Sequence, residues 1–93
     1  VIGEDRFAGI SAHKVPPKNL GGFPTAVRVR PRTARQGGGL RARWKDDWDH
    51  IYEWDYDHGR VERYDPRGEH LGEYDPDTGS QTKPPKPGRR VKP

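Results

Sequence analysis

The sequence contains no cysteine and no methionine, and only 28% of its 93 residues are hydrophobic. Without cysteine there are no disulfides, and four histidines with no thiolate partner argue against a structural zinc site, so no metal is expected. No apolar run approaches the ~18 residues of a membrane-spanning helix, and no signal-peptide pattern opens the chain. A large buried core is excluded as well, because chains this short bury only about 60% of their unfolded surface even when well packed. Stability must therefore come from a compact aromatic cluster, a partner, or both. A start at Val1-Ile2-Gly3 with no methionine is expected of a piece cut from a longer polypeptide.

What the chain does have is charge, 34% of its residues, with a net of +4 that conceals three blocks. Residues 1–45 carry ten Lys and Arg against two acids, residues 46–77 carry three against twelve, and residues 78–93 carry five against none. Basic ends suit a polyanion such as nucleic acid. An acidic middle repels that ligand unless its carboxylates have a task of their own; the alternative is a solvated surface on which opposite charges pair.

Seven of the twelve glycines and four of the ten prolines fall in the first 39 residues, too much punctuation for a long helix or a continuous sheet. A short helix is expected over residues 4–12 and a short strand at Ala26-Val27-Arg28-Val29-Arg30, ended by Pro31. Gly37-Gly38-Gly39 reads as a flexible joint. From Leu40 the texture becomes strands at close spacing: Leu40 to Trp44, Ile51 to Tyr56 with Tyr52, Trp54 and Tyr56 on one face, Arg60 to Tyr64, and His70 to Tyr74. Tyr64-Asp65-Pro66 and Tyr74-Asp75-Pro76 form a near-repeat ten residues apart, each a turn signal closed by glycine. The expected fold is mainly β (α+β): one domain over 1–93, with residues 1–20 a linker or irregular basic arm and residues 21–93 a strongly twisted antiparallel meander with a Pro-rich basic tail from Lys83 to Pro93.

The stretch Trp54 to Glu62 is the most informative. With His58-Gly59 as a two-residue hairpin loop, Asp57 pairs with Arg60, Tyr56 with Val61 and Asp55 with Glu62. Opposed like charges are destabilising, so selection for stability alone disfavours that placement, whereas two close carboxylates beside an imidazole are what acid–base chemistry needs. The competing interpretation is an ordinary charged hairpin neutralised by Arg60 and Arg63. Asp46, Asp47, Asp49 and His50 lack the glycine and distal glutamate of a calcium loop and read as a solvated acidic turn. His13 and His70 are expected at the surface or in packing roles. Arg28, Arg30, Arg32 and Arg35, with Arg41 and Arg43 after the glycines, form a basic track suited to phosphate contact, extended by Lys45 and, in the tail, by Lys83 and Arg90. No nucleotide-binding, serine-hydrolase or zinc-protease motif is present.

The ordered run Gly37-Gly38-Gly39-Leu40-Arg41-Ala42-Arg43-Trp44, Ile51-Tyr52-Glu53-Trp54-Asp55, His58-Gly59, Glu62, Tyr64, His70-Leu71-Gly72, Tyr74-Asp75-Pro76, Thr78-Gly79 and Gln81 resembles the cytotoxic domain of the ribosome-inactivating nuclease colicins and cloacin, over roughly residues 20–92. The resemblance implies a metal-independent, cofactor-free endoribonuclease that cuts small-subunit ribosomal RNA in the decoding site and is held inactive by an acidic immunity protein. It implies Asp55, His58 and Glu62 as catalytic residues, joined by Arg89, with Arg90 adjacent to that assignment. It also implies a domain delivered by a larger secreted toxin and acting in the cytoplasm of a target bacterium. The turn between Tyr64 and His70 is shorter than in that family, and residue 60 is Arg in place of an acid. Two other functions fit the composition: a toxin ribonuclease directed at tRNA, and a non-catalytic RNA-binding β module using Trp44, Trp48, Trp54 and the tyrosines as a stacking surface.

Overall fold

The computed structural model describes residues 14–93. The helix expected over 4–12, and His13, lie outside the described residues. Six strands follow one another: β1 (Val27–Val29), β2 (Arg43–Lys45), β3 (Ile51–Asp55), β4 (Arg60–Tyr64), β5 (His70–Tyr74) and β6 (Gln81–Lys83). They form a single antiparallel sheet in which every strand pairs with its sequence neighbours. The expected meander is therefore the observed fold. Several boundaries differ: β1 and β3 are shorter than expected, β2 runs Arg43–Lys45 where Leu40 to Trp44 was expected, and β6, which ends where the tail was expected to begin, was not expected as a strand. No helix among the described residues is long and apolar enough to cross a membrane.

Aspartates build the hairpin turns. Asp46, Asp55, Asp65 and Asp75 each turn Oδ1 back to accept two downstream backbone N–H groups. This is the Asx geometry that makes aspartate a turn former. The β3–β4 and β5–β6 turns then close identically, with Gly59 N–H donating to the Asp55 carbonyl and Gly79 N–H to that of Asp75. Both glycines have positive φ, 65° and 77°. The β3–β4 loop consequently spans residues 56–59, two residues longer than expected, and its register pairs Asp55 with Arg60 and Glu53 with Glu62. The expected Asp55–Glu62 pair is corrected by this: a slip of two residues keeps every side chain on its face but moves its partner.

Alternation gives the sheet two unlike faces. Trp44, Tyr52, Trp54 and Val61 lie on one, joined by Leu20, Ala26 and Ala42, with Phe23, Tyr56 and Tyr74 packed around them. The segment preceding β1 covers this face. Trp44 Nε1 donates to the Lys18 carbonyl at 3.1 Å and Trp54 Nε1 to that of Lys14 at 2.8 Å, so both indoles bury without orphaned N–H groups. Arg63 occupies the same face, its guanidinium about 5.5 Å from the rings of Phe23, Tyr52 and Tyr74.

The other face carries a lateral row, Arg43–Glu53–Glu62–Glu73–Lys83, one residue from each of β2 to β6 in direct register. Its first four members are buried. Arg43 grips Glu53 through Nε (3.1 Å) and Nη2 (2.8 Å) onto Oε2, which also accepts from Thr33 Oγ1. Removing one partner of such a pair strands the other charge out of water. Arg43→Met should therefore lower unfolding free energy by about 3–5 kcal/mol in urea titrations. The double variant Arg43→Met/Glu53→Met should regain most of that loss; a double variant as unstable as the single one would show that the pair contributes net attraction.

Candidate active site

The row ends in a cleft of about 460 Å³, lined by Asp55, His58, Glu62, His70, Glu73, Lys83, Lys86 and Arg89 together with Pro84, Pro85 and Pro87. Its floor is the β3–β5 face and its wall is the Pro-rich segment after β6. That segment is fastened to the sheet at several points: His70 N–H donates to the Arg89 carbonyl, Val91 N–H to that of Gly68, and Lys86 N–H to His70 Nδ1. Gly68 is what permits this closeness, since with φ at 88° a Cβ there would stand 2.0 Å from the Val91 carbonyl oxygen.

All four residues expected to be catalytic line this cleft. Asp55 divides its carboxylate, Oδ1 taking the N–H groups of Asp57 and His58 and Oδ2 meeting His58 Nδ1 at 2.7 Å. Burial alone would raise the Asp55 pKa, but the hydrogen bonds from the His58 ring and those two N–H groups outweigh it and hold the carboxyl below its ordinary range. The same contact raises the pKa of the exposed His58 ring, first through the hydrogen bond to Asp55 and then through its charge. Glu62 Oε1 accepts from His70 Nε2 at 2.7 Å and lies 3.7 Å from Arg89 Nη1. Because His70 Nδ1 accepts the Lys86 N–H, the ring proton sits on Nε2 and points at Glu62. Arg89 Nε donates to the Tyr64 hydroxyl at 3.1 Å. Burial raises the Tyr64 pKa and Arg89 only partly opposes this, so the phenol stays protonated.

Two residues of the cleft escaped the sequence reading. His70, expected at the surface or in packing, is buried and bonded to Glu62. Glu73, the next member of the charged row, received no role; its Oε1 accepts from Thr82 Oγ1 at 2.6 Å and its Oε2 lies 3.7 Å from Lys83 Nζ. The available signal was the spacing of Glu53, Glu62 and Glu73, nine and then eleven residues, which straddles the ten-residue repeat of the turns. Asp55, His58 and Glu73 each offer a ligand atom within 4.8 Å of one another, making them the candidate metal-holding set. In the acidic β2–β3 turn, by contrast, Asp46 commits Oδ1 to the N–H groups of Trp48 and His50 and Oδ2 to the Tyr52 hydroxyl.

The basic track does not stay together. Arg43 is buried against Glu53 and is not presented to a ligand, which corrects its assignment to phosphate contact. Arg28 stacks on Trp44 at 4.8 Å, on the aromatic face and away from the cleft. Arg30 is exposed near Arg32 and Lys92, whereas Arg41 donates to the Trp54 carbonyl beside Asp55. Lys45 is half-buried in β2, Lys83 lines the cleft, and Arg90 is exposed near Glu69. Trp44 and Trp54 are core residues, which removes them from any stacking surface; Trp48 alone of the tryptophans is exposed.

Residues 14–92 match the sequence family described as Cytotoxic. The chain belongs to this cytotoxic-domain family. Among its Escherichia coli relatives are cloacin, 53% identical, colicin E6, 50%, and colicin E3, 46%, each over 78 residues. Each alignment covers 81% of the chain and 14% of the relative, so this cytotoxic domain spans about one-seventh of the length of the proteins it matches.

The Asp55–His58 contact makes the cytotoxic domain's imidazole titrate late. Its contribution is complete below the ordinary histidine pKa of 6.5 and is lost as pH rises through the raised value. With EDTA present, Asp55→Asn should bring the His58 midpoint, followed by its ring proton resonances, down toward 6.5. An unchanged midpoint would remove Asp55 as the cause.

Proposed function

We propose that this domain is a toxin ribonuclease that cleaves small-subunit ribosomal RNA in the decoding site by 2′-hydroxyl transesterification, with Asp55, His58, Glu62 and Arg89 as its working residues. The observation that carries the reading is the convergence of those four side chains on one cleft, walled by Lys83 and Lys86, in a cytotoxic-family chain. In this scheme Glu62, oriented by His70, removes the proton from the ribose 2′-hydroxyl, and the freed oxygen attacks the adjacent phosphorus. The P–O5′ bond breaks as His58, held protonated by Asp55, delivers a proton to the leaving 5′-oxygen. Arg89, steadied by Tyr64, stabilises the charge gathering on the non-bridging oxygens. The products are a 2′,3′-cyclic phosphate and a 5′-hydroxyl, and no water is consumed in this step.

Burial of Trp44, Trp54, Tyr52 and Tyr64 argues against a purely stacking RNA-binding module, since of the three tryptophans only Trp48, set among Asp46, Asp47 and Asp49, is exposed to bases. A tRNA-directed toxin uses the same chemistry and differs only in docking. As in the family it resembles, the domain would act inside a target bacterium after delivery by a larger toxin, and the producer would hold it in check with an acidic immunity protein. Such a protein would be drawn to Arg30, Arg32, Lys83, Lys86, Arg89, Arg90 and Lys92, so its association should slow as salt rises. A salt-independent association rate would count against that pairing.

Intact ribosomes, purified rRNA and tRNA incubated with the protein and resolved on gels test the reading. One discrete small-subunit fragment is expected from ribosomes. Glu62→Gln should slow its release by about 10²–10⁴-fold and Arg89→Ala by about 10²–10³-fold. Selective loss of tRNA would move the assignment to the tRNA toxin, and an absence of cutting would leave a binding module.

A further inference from the structure

Asp55, His58 and Glu73 come from two different hairpins, and their ligand-type atoms all lie within 4.8 Å of one another. Both carboxylates are built alike. Asp55 has Oδ1 fastened by two backbone N–H groups and turns Oδ2 into the cleft. Glu73, 4% exposed, has Oε1 fastened by the Thr82 hydroxyl and turns Oε2 toward the exposed Lys83 side chain. Ligating carboxylates oriented by a hydrogen bond on their other oxygen are the usual outer-shell arrangement of metal sites. The His58 side chain is 60% exposed, which leaves room for water on the open side of an ion.

We propose that Asp55, His58 and Glu73 bind a divalent transition-metal ion of the zinc type, and that the bound ion switches the cleft off. Two carboxylate oxygens and one imidazole nitrogen, with an open fourth position, suit Zn²⁺ or Co²⁺. They do not suit Mg²⁺ or Ca²⁺, which take all-oxygen shells of six or more ligands. Tetrahedral bonds of about 2.0–2.1 Å require ligand atoms roughly 3.4 Å apart, so the ion must part the Asp55 Oδ2–His58 Nδ1 contact, now 2.7 Å, and hold Glu73 at a similar spacing. Swinging His58 and displacing Lys83 from Glu73 provides that movement. Occupation removes the imidazole from proton transfer and breaks its contact with Asp55. The ion is thus an inhibitor, and the metal-free protein is the active one. Metal binding stands on the geometry alone, whereas its inhibitory consequence rests on the ribonuclease reading above.

Binding is measured on the isolated chain by calorimetry with ZnCl₂ in a non-coordinating buffer, with MgCl₂ as control. Zinc should bind with heat that Mg²⁺ does not give, and Glu73→Gln and His58→Gln should each weaken it about tenfold or more. Circular dichroism melts confirm that each variant is folded, and His58→Gln, on an exposed turn, keeps the test decisive if Glu73→Gln is not. Zinc affinity unchanged in both variants, or equal heat from Mg²⁺, overturns the site. In the cleavage assay, zinc should abolish fragment release by the unmodified chain, EDTA should restore it, and Glu73→Gln should cut with or without zinc. Zinc bound at these residues without any effect on cutting overturns the inhibitory role. A chain that binds zinc but cuts no RNA even in EDTA overturns the ribonuclease reading and leaves the metal site standing.

Discussion

Three glutamates stand side by side on neighbouring strands, Glu53, Glu62 and Glu73, all but out of contact with water. Like charges in that position oppose sheet formation, and burial adds a desolvation cost. Much of the fold follows from how the three are separately satisfied. Glu53 takes Arg43 from β2 and Thr33 from the loop before it; Glu62 takes His70 from β5 and approaches Arg89 from the tail; Glu73 takes Thr82 and Lys83 from β6. Each carboxylate recruits a different part of the chain. A sheet with so little hydrophobic material on this face is held by polar complementarity there and by the aromatic cluster on the reverse.

The two faces divide the labour. Indole and phenol rings fill one face and are sealed by the segment before β1, so the strands are positioned by ordinary hydrophobic burial. That rigid backing allows the other face to keep charged groups at fixed separations. Preorganised charge of this kind is what acid–base and electrostatic catalysis require, because little reorganisation remains at the moment of reaction. The turn aspartates extend the same economy: Asp55 shapes its hairpin with one oxygen and orients His58 with the other.

Much of this was legible in the sequence because its signals are local. Period-two alternation and the Asp-Pro and Gly punctuation located β3, β4 and β5, and the run Asp55 to Glu62 marked the cleft's centre. The register was not legible. A four-residue loop and a two-residue loop both suit His58-Gly59, and only the capping of Asp57 and His58 N–H groups by Asp55 selects the longer one. His70 was hidden for a related reason: the register shift between Arg63 and Tyr64 sets its position against Glu62, and bulges leave no periodic trace. Arg43 looked like its neighbours in a basic track, and nothing local distinguishes a buried arginine from an exposed one until its partner Glu53 is known. β6 is three residues long, too short for alternation to register.

The wall of the cleft is the segment after β6, and it carries Arg89 and the Lys86 amide that fixes the His70 tautomer. That segment is joined to the sheet through Gly68 and His70, which meet Val91, Arg89 and Lys86, so the shape of the cleft depends on a few hydrogen bonds at one turn and not on the ladder that holds the strands together.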